Sequence, residues 1–197
     1  KKISKPMRQA VVSREDRRFF RHAGVDIQGV MRAFVATYVK KGATQGGSSL
    51  TQQYVKNVLL LQAQEDNDPI AEYHASEETV ARKLREMLIA VQMEKTYSKL
   101  EILQGYLNIA QFGRGIYGVE MAARRYFSTT ADKLDIVQAA TIAAITKNPA
   151  AFDPSVESNQ KASQRERNIV LDLMYQEEYI SQKQRDEAKA KPLKDTL

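Results

Sequence analysis

The chain has no cysteine, no tryptophan, five prolines and two histidines among 197 residues. Without cysteine there is no disulfide framework, no thiolate metal site and no Cys nucleophile. The compartment stays open, because a Cys-free chain suits an oxidising exterior as well as a reducing cytosol. Without tryptophan, and with only 8% aromatic residues, no base-stacking platform for nucleic acid stands out. The longest apolar stretches, 58–61 and 139–145, fall far short of the roughly 20 residues of a spanning helix. No run of alternating apolar and polar residues marks a strand, so the organisation reads as mostly α.

What is present is an ordinary globular composition. Hydrophobic residues make up 43%, enough to bury a core and to exclude bulk disorder. Residues 1–197 read as a single domain. The formal net charge of +6 favours a polyanionic partner: nucleic acid, an anionic membrane surface or a phosphorylated substrate. Solubility alone accounts for such a charge equally well. The start at Lys1-Lys2-Ile3 shows no signal peptide, as expected of a domain separated from its anchor.

Helical patterns cover 5–20 and, after a link at 21–25 with Asp26 as cap, 27–40. Residues 42–47 form a glycine-rich loop. Ser49 with Gln52 has capping-box spacing and opens a helix over 50–61. The polar, acidic stretch 62–78 contains Pro69 and reads as a surface loop. A strong amphipathic helix follows over 77–97, with Val80, Leu84, Met87, Leu88 and Val91 as its apolar face. Ser98 with Glu101 caps a helix over 99–110. Gly113, Gly115 and Gly118 mark a turn before a helix ending near 127. Further helices are expected at 134–147, near 160–176 and near 181–191, with Asn148-Pro149 ending the first of these.

Five segments can carry chemistry. Glu15-Asp16 lies in Glu-Asp-Arg-Arg-Phe-Phe-Arg-His-Ala-Gly, four residues before an aromatic. On a helix that places Glu15 on an apolar face, where desolvation tunes an acid toward base chemistry. Read alone, the segment is better explained as a surface acid paired with arginine. Gly46-Gly47-Ser48-Ser49-Leu50-Thr51-Gln52-Gln53 brings glycines, hydroxyls and amides to a helix start, which favours anions. It lacks the Gly-Lys-Ser/Thr ending of a nucleotide loop, and a plain capped helix start is the alternative. Lys56 follows one turn later. Arg82-Lys83-Leu84-Arg85-Glu86 puts Arg82, Lys83 and Glu86 on one stripe, fit for a phosphate or for ordinary salt bridges. In Lys99–Asn108, Ile102, Leu103, Tyr106 and Leu107 read as core, with Asn108 on the inner side bracing a neighbouring backbone. Arg114-Gly115-Ile116-Tyr117-Gly118 precedes small residues and Tyr126-Phe127, with Arg114 as an anion contact.

The five segments together, in this order, resemble the motifs of the family 51 glycosyltransferases. These are the peptidoglycan glycosyltransferase domains of bifunctional penicillin-binding proteins and their monofunctional relatives. The resemblance runs from about residue 5 to 188. It departs in Ser49, where the family usually has Thr, and in 62–78, which is longer than usual. It implies a mostly α, lysozyme-like fold: a large globular helical lobe plus a small membrane-associated lobe, the latter formed roughly by 31–78.

The resemblance also implies the reaction. Lipid II is polymerised into β-1,4-linked glycan with inversion and release of undecaprenyl diphosphate. Glu15 is the expected base, with Glu86 the second catalytic acid. Lys56, Arg82, Lys83 and Arg114 are expected to face the diphosphate, with Ser48, Gln52 and Gln53 as orienting contacts. Asp16, His22 and Asn108 are expected to support the site. A divalent cation, Mg2+ or Mn2+, could be held at the diphosphate by Glu86; no organic cofactor is implied. The implied partners are lipid II, the growing glycan chain, a membrane surface, cell-wall synthesis proteins and, in a longer protein, a transpeptidase domain. No nucleic-acid partner is expected. The implied location is the outer face of the bacterial plasma membrane, reached through a transmembrane anchor outside this chain.

The membrane face is expected among Phe34, Val35, Tyr38, Val39, Val58, Leu59 and Leu60, interleaved with Lys40, Lys41 and Lys56. Three rival readings differ in class. A lysozyme-like hydrolase or lytic transglycosylase would cleave finished glycan and need no diphosphate-binding cations. A basic helical nucleic-acid binder would show salt-sensitive affinity, but no helix-turn-helix is recognisable. An inactive scaffold of the same fold sits poorly with an intact Glu15 and Glu86.

Overall fold

The computed structural model describes residues 2–34 and 47–197. Among them lie ten α-helices and no β-strand: α1 Lys5–Glu15, α2 Ile27–Phe34, α3 Leu50–Glu65, α4 Pro69–Ser76, α5 Val80–Thr96, α6 Lys99–Ile109, α7 Val119–Phe127, α8 Ile136–Ile145, α9 Gln160–Gln176 and α10 Gln182–Ala190. The mostly α expectation holds. Two compact units form. One comprises Lys1–Arg17 with Leu107–Leu197, and the other Arg18–Tyr106, which contains the 31–78 stretch.

The first unit is built around α8. Val137 and every residue from Ala139 to Ile145 are buried, so this helix is enclosed on nearly all sides beyond its first turn. Such a helix belongs at the centre of a core. Its alanines allow close approach by α1, through Met7, Ala10 and Val11, and by α9, through Val170, Leu171 and Met174. Asp135 and Gln138 start α8 with a reciprocal capping box. Arg167 of α9 is fully enclosed and donates to the Asn168 side chain and to the Lys189 carbonyl in the last turn of α10. One of the open carbonyls at that helix end is thereby satisfied.

In the second unit α3 packs on α4 and α5. The Ser49–Gln52 capping box forms as expected, and α3 runs on to Glu65. Ser98 and Glu101 also cap each other. Hydrogen bonds from the Ser98 side chain and backbone hold the Glu101 carboxyl below its ordinary range.

Three expectations are corrected. The helix over 5–20 stops at Glu15, because Asp16 leaves the helical region at φ −156° and ψ 81°. Phe19–Arg21 is a separate 3-10 turn, so α1 does not supply the shared Glu15–Phe19 face. The stretch 62–78 is mostly helix. Asp68 accepts from the Ile70 and Ala71 amides, and Pro69 follows it at the start of α4, where a missing N–H costs nothing. On α5 three of the five residues expected on the apolar face are turned outward, while Met87 and Val91 are half-buried. Val80, Leu84 and Leu88 are 77%, 56% and 73% exposed, whereas Glu86 and Ala90 are buried.

Candidate functional site

The second unit brings two of the five segments together at Glu86. Glu86 is only 2% exposed. One carboxylate oxygen accepts from the Arg82 guanidinium, and the other lies 3.3 Å from the Lys83 ammonium. Arg82 also donates to the Glu77 carbonyl, which fixes its direction along α5. Lys83 then reaches out of its helix to the Ser48 hydroxyl. The Gly-x-Ser-Ser loop and the Arg-Lys-x-x-Glu helix are therefore joined by one ammonium group. A buried carboxylate with two cations is held in place because losing any member leaves a buried charge uncompensated.

Ser49 ties the same loop to the first segment by donating to the Gly24 carbonyl. Gly24 has a left-handed φ of 82°, and a Cβ there would stand 2.7 Å from the Ala90 carbonyl carbon. Only glycine lets the 18–26 backbone lie this close to α5. Asp26 receives Arg18 at 3.1 Å. His22 packs edge-on to Phe19, with ring centroids 6.2 Å apart.

The two glutamines expected to orient a ligand have other tasks here. Gln52 is fully buried, and its amide oxygen accepts from the Ser49 amide to close the capping box. Gln53 accepts from the Tyr106 hydroxyl at 3.2 Å. Lys56 stands half-buried one turn further on α3. Gly46 and the rest of 35–46 lie outside the described residues.

Sequence reasoning missed Glu94. Its carboxylate accepts from the Thr51 hydroxyl and forms an ion pair with Lys99 at 2.7 Å. Lys99 in turn lies 4.5 Å above the Phe19 ring. A single acid thus links the second and fourth segments, and its cation touches the first. No local pattern announces this, because Thr51 and Glu94 are 43 residues apart.

In the first unit Glu15 ends α1 and is half-buried. The Thr146 hydroxyl donates to its Oε1 at 2.5 Å. Asp16, 6% exposed, caps the helix through its backbone N–H. Arg114 is exposed on the 111–118 loop. That loop is closed by an isolated bridge between Gln111 and Tyr117 and by the Phe112 amide donating to the Ile116 carbonyl. Tyr126 donates to the Phe112 carbonyl at 2.8 Å. Burial, and then the nearby Asp153 carboxylate, push its phenol well above the ordinary range. Asn108 is corrected: its side chain is exposed, because Ile102, Leu103, Tyr106 and Leu107 occupy the inner face of α6. Its backbone carbonyl instead lies against Gly118, which has no room for a Cβ.

The donor set around Glu86 does not form a protein cage for a metal. Both oxygens already face cations, and among the described residues no three or more His, Asp or Glu side chains gather. Divalent cations need several oxygen ligands. The arrangement suits an anion better: two cations and a hydroxyl, oriented by one buried acid.

A protein-family model described as Transglycosylase matches residues 1–175. Penicillin-binding protein 1A of Aquifex aeolicus is 38% identical over 98% of this chain and 24% of its own length. Penicillin-binding protein 1A/1B of Bacillus subtilis is 38% identical over 96% of this chain and 19% of its own length. The chain therefore spans a quarter or less of these relatives. The crystal structure of penicillin-binding protein 1A from Haemophilus influenzae aligns with a TM-score of 0.42 at 25% identity, over 72% of this chain and 16% of that one.

Proposed function

This chain belongs to the transglycosylase family, and from that premise we propose that it polymerises lipid II into β-1,4-linked glycan strands of the bacterial cell wall. The observation that carries the reading is Lys83, shared between Ser48 and Glu86. A hydrolase of finished glycan has no use for a preassembled cation pair beside a hydroxyl. A transferase that expels diphosphate does.

Glu15 takes the proton from the 4-hydroxyl of the incoming lipid II. That oxygen bonds to the anomeric carbon of the growing chain from the face opposite the leaving group. The bond from that carbon to the diphosphate oxygen breaks, and the α-linked donor becomes a β-linked product. Charge then grows on the undecaprenyl diphosphate. Arg82 and Lys83 neutralise it, with Ser48 as a neutral donor and Arg114 and Lys56 as further cations. Glu86 holds Arg82 and Lys83 in place rather than reacting.

The chain works at the outer face of the plasma membrane, beside a transpeptidase domain and other cell-wall synthesis proteins. Among the described residues no helix is long and apolar enough to cross a membrane. Contact with the bilayer is supported by the outward stripe Val80, Leu84 and Leu88 on α5, and by Ile70 and Tyr73 on α4. Of the residues expected on this face, Val58, Leu59 and Leu60 are half-buried. Val35, Tyr38, Val39, Lys40, Lys41 and the Phe34 side chain lie outside the described residues. Flotation with anionic vesicles tests the stripe: Leu84→Asp with Leu88→Asp should lose binding, and unchanged flotation removes it as the membrane face.

The reaction is tested by lipid II polymerisation with the unaltered chain, Glu15→Gln and Glu86→Gln. Polymer growth is expected from the first and a loss on the order of a hundredfold or more from Glu15→Gln. Glycan cleavage without growth would replace the synthetic reading with the hydrolytic one.

A further inference from the structure

We propose that Thr146 is a positioning residue for the Glu15 carboxylate, and that Glu166 holds the two in register. The proposal rests on Glu15 being the base. Thr146 follows the last turn of α8, in which every residue from Ala139 to Ile145 is buried, so its hydroxyl starts from a fixed platform. That hydroxyl has a single hydrogen and two acceptors in reach. The Glu15 Oε1 stands 2.5 Å away and the Ala143 carbonyl 2.8 Å away. A charged oxygen is the stronger acceptor, so the hydrogen goes to Glu15. A glutamate has three rotatable side-chain bonds, and a bond to one carboxylate oxygen fixes the last of them.

A second, independent contact points the same way. Arg14 and Lys147, the chain neighbours of Glu15 and Thr146, both reach Glu166 on α9. Arg14 binds one of its carboxylate oxygens at 3.0 Å and Lys147 the other at 3.3 Å. Arg14 and Glu166 are each 13% exposed, so this is a semi-enclosed pair rather than a loose surface one. The end of α1 and the end of α8 are thus clamped by one acid from a third helix. The base and its hydroxyl sit at the clamped point. Misplacing a reacting group by about 1 Å can cost on the order of a hundredfold in rate, which is the scale such a clamp protects.

The test is lipid II polymerisation by the whole chain with Thr146→Val, Thr146→Ala and Thr146→Ser, each alone and on Glu15→Gln. We expect both hydroxyl-free variants to lose roughly ten- to a hundredfold in kcat, with KM changed less than about twofold. Thr146→Ser should restore kcat to within about twofold of the parent, because it keeps the donor. On Glu15→Gln the same substitutions should cost nothing further, since there is no charged base left to orient. Wild-type kcat in Thr146→Val and Thr146→Ala, with Glu15→Gln slowed about a hundredfold or more, overturns the role of Thr146 and leaves the base intact. Full activity in Glu15→Gln overturns the base reading itself. An equal loss in both backgrounds marks a merely structural threonine and also overturns the proposal; if Thr146→Val fails to fold, Thr146→Ala carries the comparison.

Discussion

The Lys83 ammonium binds the Ser48 hydroxyl across 35 residues of sequence while its other side faces Glu86. Removing the charge and keeping the chain length, as in Lys83→Met, should lower kcat for lipid II polymerisation on the order of a hundredfold. Ser48→Ala should cost roughly tenfold, because the cation survives but loses its anchor. Initial rates over a range of substrate concentrations check both, and a Ser48→Ala loss larger than that of Lys83→Met would contradict the ranking.

Glu94 joins Thr51 and Lys99. Glu94→Gln should destabilise the chain by about 2 kcal/mol or more, since Lys99 is left without its counter-charge. Thr51→Val should cost about 1 kcal/mol. Because Glu94→Gln leaves Thr51 only a neutral, weaker acceptor, and Thr51→Val removes the donor, the double variant should lose less than the sum. Urea unfolding measures all three, and strict additivity would mean that the contact carries no energy.

Gly24→Ala meets two obstacles, a φ of 82° and the α5 backbone at 2.7 Å. The expected loss is about 3 kcal/mol or more. Thermal melting followed by circular dichroism checks it. A melt within a degree or two of the parent would show that the 18–26 segment can move away from α5 freely.

Tyr126 makes the chain sensitive to alkali. Its folded-state pKa is raised above the ordinary 10.0, first by burial and then by Asp153. A raised pKa means that the neutral phenol is favoured in the folded state. The corresponding stability is fully present below pH 10.0 and is lost as pH rises above it. Tyr126→Phe should therefore show a shallower fall in stability above that pH. Unfolding midpoints measured on both sides of it decide the matter, and parallel curves would rule Tyr126 out as the source.

Local signals were readable where one short segment carries the whole reason. Ser49 with Gln52 and Ser98 with Glu101 announce helix starts because cap and partner are three residues apart. Asp68-Pro69 carried an equally local signal, but the acidic composition around it argued for a loop. The face of α5 could not be read from periodicity. Burying Glu86 with two cations turned Leu84 and Leu88 outward, and a hydropathy pattern gives a buried acid no credit. Thr146 and Glu94 were invisible for another reason: their partners lie 131 and 43 residues away. The Glu15 argument from a shared helical face failed because α1 ends at that residue. What the structure shows at Glu15 is the hydroxyl of Thr146, just beyond the end of α8.

The alanines of α8 give this arrangement a gauge. Ala139, Ala140, Ala143 and Ala144 have no exposed surface, so an added methyl or two must push a neighbouring helix aside. The same helix is followed directly by Thr146, whose hydroxyl donates to Glu15. If the proposed synthesis is the reaction, small core changes here should register in turnover before they register in melting temperature, and the rate becomes a ruler for spacing in the middle of the first unit.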